Sequence, residues 1–400
     1  MSLDPVLIGI DGGASKVSAW NITILEDGLF NTGEYNVKYR YKEIGGYNEN
    51  FKPVDINTQM GQFINSNYSI SESEEMQSRV YISACVKAVL SLVDCLKKRD
   101  ILIGFCMPGI KTADDRGIAV MANGPRISSF CDIFKGMIEK EGINLIWKPM
   151  KIGNDAYFCG LGEQYGKGGS FRKFQNVYYC GVSTGIADLL KINGRIIEID
   201  EVSDWFVKTW ELASEDNVAI EDYISAKGVM KRFLEKVGES IKDVEKEDIY
   251  VQKIRDIAIG GNISTQEVID GFCYYLAKLV YEIIVTLDVG YKGIFKIRNI
   301  YRKWPIKEHK FIGTKLGSVI FGQQIGEFLK ESYDDELIWA NFISNLKNFI
   351  SKSLFIENDT KDYYFTKIDR DEFFVFSRLI EAPSIGAGVY AYFSYRGGKE

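Results

Sequence analysis

The sequence predicts an α/β protein of two domains, each of which starts with a strand, a glycine-rich turn and a second strand. The first hairpin covers residues 6–25 and turns at Asp11–Gly13, and the second covers residues 177–194 and turns at Ser183–Gly185. Because glycine has no side chain, such turns leave backbone N–H groups open to a phosphate. Two of them in one chain indicate two domains that hold a polyphosphate from opposite sides, as a phosphoryl-transfer enzyme does.

The remaining pattern alternates strands and helices in the first half and is mostly helical in the second. A polar stretch over residues 31–73 predicts an elaborated loop or a weak hairpin, and Arg298–Lys310 predicts a solvated basic loop. The other predicted elements are a helix that starts near Glu74, strands at Ile101–Met107, Leu145–Ile152 and Ser318–Phe321, and helices at Asp155–Tyr165, Ile220–Val237, Asp243–Ile259, Thr265–Leu287 and after Ser384.

The amino-acid composition argues against several classes of protein. A net charge of −6 argues against nucleic-acid binding, and no apolar run is long enough to span a membrane. The N-terminus has no signal-peptide pattern, and the seven cysteines are scattered without a Cys-x-x-Cys pair, which favours reduced thiols in the cytoplasm. With His309 as the single histidine, no zinc site is expected, whereas a metal bound by carboxylate and phosphate oxygens stays open.

The first glycine turn carries the residues expected at a phosphate and metal site. Asp11 follows a buried strand, and its carboxylate is predicted to hold Mg²⁺ directly or through water. Gly12, Gly13, Ser15 and Lys16 are predicted to contact phosphate. The alternative is an ordinary hairpin. No Gly-x-x-x-x-Gly-Lys-Ser/Thr motif is present, which disfavours a P-loop enzyme.

The second glycine turn predicts the other half of the phosphate site. Ser183, Thr184 and Gly185 offer hydroxyl and backbone N–H groups, and here too a plain turn is the alternative. Further along, Gly322 is predicted to let a nucleoside pack on the backbone, with close strand–helix packing as the alternative.

Asn154 and Asp155 are the sharpest catalytic candidates. Phosphorylation of an alcohol needs a group that accepts the hydroxyl proton, and Asp155 at the start of a helix can do this while Asn154 orients neighbouring hydroxyls. The alternative is a simple helix N-cap, a position that Asn and Asp favour in any case. Asn123 lies in a turn in a stretch predicted to return towards the same cleft.

Six short motifs follow one another along the chain: Ile8–Ser15, Met107–Gly109, Asn154–Ala156, Ser183–Gly185, Ser318–Gly322 and Ala382–Ala387. In this order they resemble the ROK family (repressor, open reading frame, kinase), within the superfamily of actin and the hexokinases. The resemblance runs from about Val6 to Tyr392.

The resemblance implies an actin-like ATPase (ribonuclease H-like) fold with a central cleft for nucleotide and sugar. It implies residues 1–152 with 384–400 as a small domain and 153–383 as a larger one. The implied activity is ATP- and Mg²⁺-dependent phosphorylation of a hexose or hexose derivative, with Asp155 as general base and Asn123 and Asn154 as sugar ligands. Gly322 would lie beside the adenosine, and a homodimer is one expected assembly.

The sequence departs from the family pattern in two places. It lacks the family's zinc-binding His and Cys cluster, and the nearest match to its Glu-x-x-His pair puts Glu211 at the sugar-binding glutamate but Ser214 at the histidine. The alternatives are therefore a sugar- or nucleotide-binding protein with weak catalysis, and an ATPase that works without sugar. A DNA-binding regulator is less expected, because the chain starts almost directly with the phosphate turn.

Overall fold

A computed structural model describes residues 5–146, 150–183, 185–238, 251–370 and 372–397, which form two compact units. Unit 1 comprises residues 1–169 and 381–400, and unit 2 comprises residues 170–380. The helix Asp155–Tyr165 lies in unit 1 because it packs along the C-terminal helix, Ala382–Arg396. The division therefore differs from the boundary expected after residue 152, and it places Asp155 in the same unit as Asp11.

Unit 1 is built on a mixed six-stranded sheet. The central strand β1 pairs antiparallel with β2 and parallel with β4, while β4 also pairs with β7 near its start and with β8 near its end. The elements of unit 1, besides the C-terminal helix, are β1 (Val6–Gly12), β2 (Lys16–Ile24), β3 (Phe30–Arg40), α1 (Ile56–Ile64), α2 (Glu72–Leu96), β4 (Asp100–Met107), β5 (Ile110–Lys111), β6 (Ile118–Val120), α3 (Phe130–Lys140), β7 (Asn144–Leu145), β8 (Ile152–Asn154) and α4 (Asp155–Tyr165).

Helices pack against the sheet of unit 1. Helix α2 packs on β2 and β3, and the C-terminal helix packs on β1 and β4. The second contact is very close: a Cβ atom at Gly9 would lie 1.8 Å from the backbone oxygen of Ser384, and one at Gly104 would lie 1.9 Å from that of Ala387. Glycine at these two strand positions is therefore required for the helix to pack on the sheet.

The elaborated loop or weak hairpin predicted over residues 31–73 contains more regular structure than expected, since helix α1 (Ile56–Ile64) lies within it and a long strand begins it. Residues 30–40 form the long edge strand β3, which pairs with β2, and a short 3₁₀ turn, Tyr41–Glu43, follows it. An edge strand has few buried positions, so β3 is polar along most of its length and lacks the alternation typical of an inner strand. Its partly buried Val37 and Tyr39 pack against the core of unit 1.

Unit 2 repeats this sheet order with helices as its main elements. Its elements are β9 (Val177–Val182), β10 (Ile186–Ile192), β11 (Arg195–Ile196), α5 (Ile199–Val202), β12 (Leu212–Ala213), α6 (Glu221–Ile224), α7 (Ala226–Val237), α8 (Val251–Ile259), α9 (Ile263–Val289), β13 (Lys296–Ile297), β14 (Ser318–Gly322), α10 (Gln323–Glu331), α11 (Asn341–Ser351), α12 (Asn358–Ile368) and β15 (Phe374–Phe376). Short 3₁₀ turns lie at Phe171–Lys173 and Thr209–Glu211, and one π-helical turn lies at Glu336–Ala340.

The two sheets share one topology. The order β3-β2-β1-β4-β7 in unit 1 corresponds to β11-β10-β9-β14-β15 in unit 2. In both, the first two pairings from the hairpin side are antiparallel and the next two are parallel. The glycine hairpins β1–β2 and β9–β10 thus occupy equivalent places, and the predicted α/β class is confirmed.

One predicted helix of unit 2 is divided into two, and another is described only from Val251 onwards. The helix expected over residues 220–237 is interrupted at Ser225, whose hydroxyl caps α7 by accepting a hydrogen bond from the Gly228 N–H at 3.0 Å. The helix expected over 243–259 is present from Val251, and its first part lies outside the described residues. No helix in the described ranges is both long enough and apolar enough to cross a membrane.

Candidate active site

The candidate site of unit 1 lies where three parallel strands end. Strands β1, β4 and β8 run in the same direction, and their register pairs Asp11 with Cys106 and Met107 with Asn154. Asp155 follows directly as the first residue of α4. Ligands of α/β sheets bind outside the carboxyl ends of such strands. The fold therefore brings Asp11, Asn154 and Asp155 to one sheet edge.

Asp11 and Asp155 interact electrostatically. The pKa of the Asp11 carboxyl is raised to about 6, first by removal of water around it and second by the negative charge of Asp155, while Lys16 opposes the change. Negative charge concentrated around Asp11 would favour a bound cation at this residue. One or two carboxylates with phosphate oxygens and water form a usual Mg²⁺ ligand set, so these residues fit that ion.

Asn154 caps helix α4. Its Oδ1 accepts hydrogen bonds from the N–H groups of Ala156, at 3.0 Å, and Tyr157, at 3.5 Å. The Ala156 N–H also lies 2.9 Å from Oδ1 of Asp155. The alternative of an N-cap is therefore correct for Asn154. It does not exclude the predicted role, because the cap uses the carbonyl oxygen and leaves the amide group for a hydroxyl ligand.

Two tyrosines hold the first glycine turn, and the sequence pattern did not reveal them. The hydroxyl of Tyr41 donates to the backbone oxygen of Gly13 at 3.1 Å, and that of Tyr81 donates to the backbone oxygen of Ala14 at 2.8 Å. Their rings stack with centroids 3.6 Å apart. Tyr41 comes from the polar stretch predicted to be a loop, so no local signal marked it.

The turn with Asn123 lies beside the same tyrosine pair. A Cβ atom at Gly124 would lie 3.2 Å from the hydroxyl of Tyr81, which itself binds the first glycine turn. Asn123 is exposed in this turn. The predicted sugar ligand Asn123 thus lies next to a residue that approaches Tyr81, and its role as a ligand stays a prediction.

A lysine fixes the loop that leaves β4. The Nζ of Lys111 donates to the backbone oxygens of Met107 and Gly109, each at 2.7 Å. Gly109 has a φ of +91°, and a Cβ atom there would lie 2.3 Å from the Val120 oxygen. The Met107–Gly109 motif therefore forms a tight turn that only glycine can complete at its last position.

In unit 2, the second glycine turn is anchored to helix α7. The N–H of Ser183 donates to the Gly185 oxygen at 2.9 Å, and the Ser183 oxygen accepts from the Ala226 N–H at 3.0 Å. Thr184, the third predicted phosphate ligand of this turn, lies outside the described residues. Ser183 and Gly185 stay predicted phosphate ligands.

Glu221 is a candidate functional residue to which the sequence pattern assigned no role. Its Oε1 accepts from the Ile186 N–H at 3.1 Å, and a Cβ atom at Gly185 would lie 3.3 Å from that oxygen. Burial raises the pKa of this carboxyl to about 7. A carboxyl poised near neutrality beside a glycine turn is typical of a functional site. The signal available was a glutamate at the start of the predicted helix Ile220–Val237.

Glu211, the predicted sugar ligand, is buried in an internal network. Its Oε2 forms an ion pair with Arg302 at 2.6 Å, and its Oε1 accepts from the Asn299 amide at 2.8 Å. Arg302 also donates to the backbone oxygens of Ser203 and Phe206. The carboxylate thus holds the segment expected to be a solvated loop, and its sugar-binding role stays a prediction.

Gly322 packs closely against a tyrosine. A Cβ atom there would lie 2.4 Å from the hydroxyl of Tyr179, and one at Gly181 would lie 2.8 Å from it. Close packing therefore suffices to explain glycine at 322, and the adenosine role stays a prediction. The next residue, Gln323, has the left-handed φ of +61°, which is unusual for a side chain other than glycine.

Comparison with known proteins shows which solved structures share this fold. No protein-family model matches the sequence, and a search of curated proteins finds no relative. Solved structures do match over nearly the whole chain. A ROK hexokinase from Thermus thermophilus is similar with a TM-score of 0.55 and 14% identity over 98% of this chain and 99% of that one.

Two further structures show the range of proteins with this fold. A ROK family glucokinase from Streptomyces griseus, in complex with glucose and AMPPNP, is similar with a TM-score of 0.55 and 12% identity over 97% of this chain and 99% of that one. A ROK family transcriptional regulator is similar with a TM-score of 0.52 and 10% identity over 98% of this chain and 80% of that one. The resemblance to ROK proteins is therefore confirmed at the level of the fold.

Proposed function

We propose that this protein is an ATP-dependent sugar kinase that transfers the γ-phosphoryl group of ATP to a hydroxyl of a hexose or hexose derivative. The observation that carries the proposal is the carboxylate pair Asp11 and Asp155 at the ends of parallel strands, beside a glycine turn. The two residues are suited to different roles. One is on the phosphate turn and the other begins a helix, where a carboxylate is stabilised by the helix dipole.

Asp155 acts as general base in this proposal. As the sugar hydroxyl oxygen forms its bond to the γ-phosphorus, its proton passes to the Asp155 carboxylate, and the bond to the departing ADP breaks. Asn154 and Asn123 orient the sugar hydroxyls. Asn154 is well suited to this, because its cap to Ala156 fixes the side chain and so the direction of its amide group.

Asp11 and the first glycine turn bind the phosphate end of the nucleotide. The N–H groups of Ala14 and Ser15 have no acceptor among the described residues, so they are open to phosphate oxygens. Mg²⁺ bound with ATP would neutralise phosphate charge near Asp11. In unit 2, Ser183 and Gly185 are proposed as further phosphate ligands, and Glu221 as a polar contact. A cytoplasmic location and a homodimer stay predictions.

The test is release of ADP from MgATP in the presence of single hexoses or N-acetylhexosamines. We expect one sugar class to stimulate release, and Asp155→Asn to reduce this turnover by about 10²–10⁴-fold, the usual contribution of a general base. Asp94→Asn, in an exposed ion pair with Arg99, is the matched control and should leave turnover unchanged. Turnover of Asp155→Asn close to that of the wild type would overturn the assignment.

A second candidate is a sugar- or nucleotide-binding protein with weak catalysis. It is favoured by the engagement of Glu211 in an internal ion pair and by the transcriptional regulator that shares the fold. Calorimetric titration with glucose and with MgAMPPNP separates the two. Binding of both ligands without sugar-dependent ADP release favours the binding protein, and ADP release that no sugar changes favours a sugar-independent ATPase.

A further inference from the structure

We propose that Tyr41 and Tyr81 act together as positioning residues that aim the backbone N–H groups of the first glycine turn at the nucleotide phosphates. The pair is called the tyrosine clamp below. This inference rests on the proposed nucleotide binding and adds two residues to which no motif in the sequence assigns a role. Neither side chain is proposed to touch the reacting atoms.

The clamp holds three consecutive carbonyl oxygens of the turn. The Tyr41 hydroxyl binds the Gly13 oxygen, the Tyr81 hydroxyl binds the Ala14 oxygen, and the backbone N–H of Tyr41 binds the Ser15 oxygen at 3.1 Å. A hairpin turn needs no such support to form, since β1 and β2 already pair up to Gly12 and Val17. Three bonds to one side of the turn therefore fix its orientation.

The planarity of the peptide bond converts this anchoring into a direction for the donors. In a trans peptide, the C=O of one residue and the N–H of the next point in opposite directions, and the described chain contains no cis peptide. With the Gly13 and Ala14 oxygens held on the tyrosine side, the N–H groups of Ala14 and Ser15 face away from it. Neither N–H has an acceptor among the described residues.

The clamp is built to be rigid. The two rings are stacked at an interplanar angle of 18°, and their exposed fractions are 1% for Tyr41 and 4% for Tyr81. They come from different elements, the 3₁₀ turn after β3 and helix α2, so each restrains the other. Burial raises the pKa of both hydroxyls, so they keep their protons and stay donors at physiological pH.

The test compares phenylalanine variants that keep the ring stack and lose one hydroxyl. We expect Tyr81→Phe and Tyr41→Phe each to weaken binding of MgAMPPNP, measured by calorimetry, by about three- to tenfold, the worth of one hydrogen bond. The KM for MgATP should rise by a similar factor, while the KM for sugar stays unchanged. Tyr39→Phe is the matched control, since its hydroxyl bonds to Ser91 at 3.0 Å instead of the turn.

These measurements distinguish the proposed role of the tyrosine clamp from a purely structural role, and they test it independently of the proposed kinase activity. A purely structural role would lower the melting temperature and the active fraction but leave the affinity for MgAMPPNP unchanged, which would overturn the clamp. Wild-type protein that does not bind MgAMPPNP would overturn it as well. Wild-type protein that binds MgAMPPNP but phosphorylates no sugar would refute only the kinase, because the phenylalanine variants still test the clamp through binding.

Discussion

Burial and, after it, the charge of Asp155 raise the pKa of Asp11, although 143 residues of the 400-residue chain lie between these two aspartates. The parallel pairing of β1 with β4 and of β4 with β8 produces this proximity. Repelling carboxylates are unfavourable in the absence of a cation. In the free protein the repulsion between Asp11 and Asp155 therefore lowers stability, and a bound metal–nucleotide complex would reduce this repulsion.

Asp11→Asn should stabilise the fold and impair nucleotide binding. A carboxyl whose pKa rises from 3.8 to about 6 on folding lowers stability wherever it is ionised in the unfolded chain. Full conversion of that change would give about 3 kcal/mol, and we expect about 1–2 kcal/mol at pH 8 because solvent screens a partly exposed group. The gain should shrink as the pH falls from about 6 to 4, where the wild-type carboxyl takes up its proton.

Urea unfolding at pH 8 and at pH 4.5 measures this prediction. Asp94→Asn, which removes a charge in an exposed pair with Arg99, should change stability little at either pH. A destabilised Asp11→Asn at pH 8 would contradict the raised pKa of Asp11. In wild-type protein, affinity for MgAMPPNP should fall as the pH decreases through about 6, and Asp11→Asn should show weak binding at every pH.

Sequence patterns predicted those parts of the site whose residues are close together in the sequence. Asp11 lies at the end of the apolar strand β1, and Asp155 directly follows the short strand β8. A polar residue at such a point has few roles besides capping, turn formation or ligand binding. The two glycine hairpins were equally local. Their equivalence in the two sheets is confirmed, since β1–β2 and β9–β10 hold the same place in the strand order.

The parts that sequence patterns missed depend on contacts between distant residues. Tyr41 meets Tyr81 only because β3 forms, and β3 is a polar edge strand without the expected alternation. Glu74 marked the start of a helix in the sequence, yet it is buried with Arg126. The spacing of apolar residues near Glu74 cannot show whether this glutamate is exposed at the helix start or buried in an ion pair, because its partner Arg126 lies 52 positions away.

Arg126→Met should strongly destabilise unit 1. The Arg126 and Glu74 side chains are each 1% exposed, and Glu74 accepts hydrogen bonds from Arg126 Nε at 2.8 Å and from its terminal nitrogen Nη2 at 2.7 Å. Removal of the arginine leaves a buried carboxylate without its counter-charge, which costs about 3–5 kcal/mol. Differential scanning calorimetry should show a corresponding fall in the melting temperature.

Arg79→Met is the control for this buried pair, because it removes an ion pair with Glu75 from the same helix. That pair is 71% and 59% exposed, and its loss should cost less than about 0.5 kcal/mol. The double variant Glu74→Leu with Arg126→Met should recover part of the stability by removing the orphaned charge. Equal effects of Arg126→Met and Arg79→Met would refute the buried-pair explanation.

Glu211→Gln separates a structural role from the predicted sugar contact. Since the Glu211 and Arg302 side chains are 5% and 11% exposed, loss of the charge should lower stability by about 2–3 kcal/mol. If Glu211 has only this structural role, the KM for sugar should change less than twofold. The comparison variant Glu267→Gln, in an exposed pair with Lys236, should leave both quantities unchanged. A large rise in sugar KM without loss of stability would instead support a ligand role.

Gln323→Gly should stabilise unit 2. Gln323 has a φ of +61°, in the left-handed region where a Cβ atom costs about 1–2 kcal/mol and glycine costs little. Its Nε2 is also buried without a hydrogen-bond partner among the described residues, so truncation removes an unsatisfied donor. We expect the free energy of unfolding in urea to rise by about 1 kcal/mol, a gain already reduced by the greater freedom of glycine in the unfolded chain.

Gln324→Gly is the control, one residue later at an exposed helical position. Its free energy of unfolding should fall by up to about 1 kcal/mol. The decisive result is a gain in stability for Gln323→Gly and a loss for Gln324→Gly. A loss of stability for Gln323→Gly would mean that contacts of the glutamine side chain outweigh the cost of its backbone conformation.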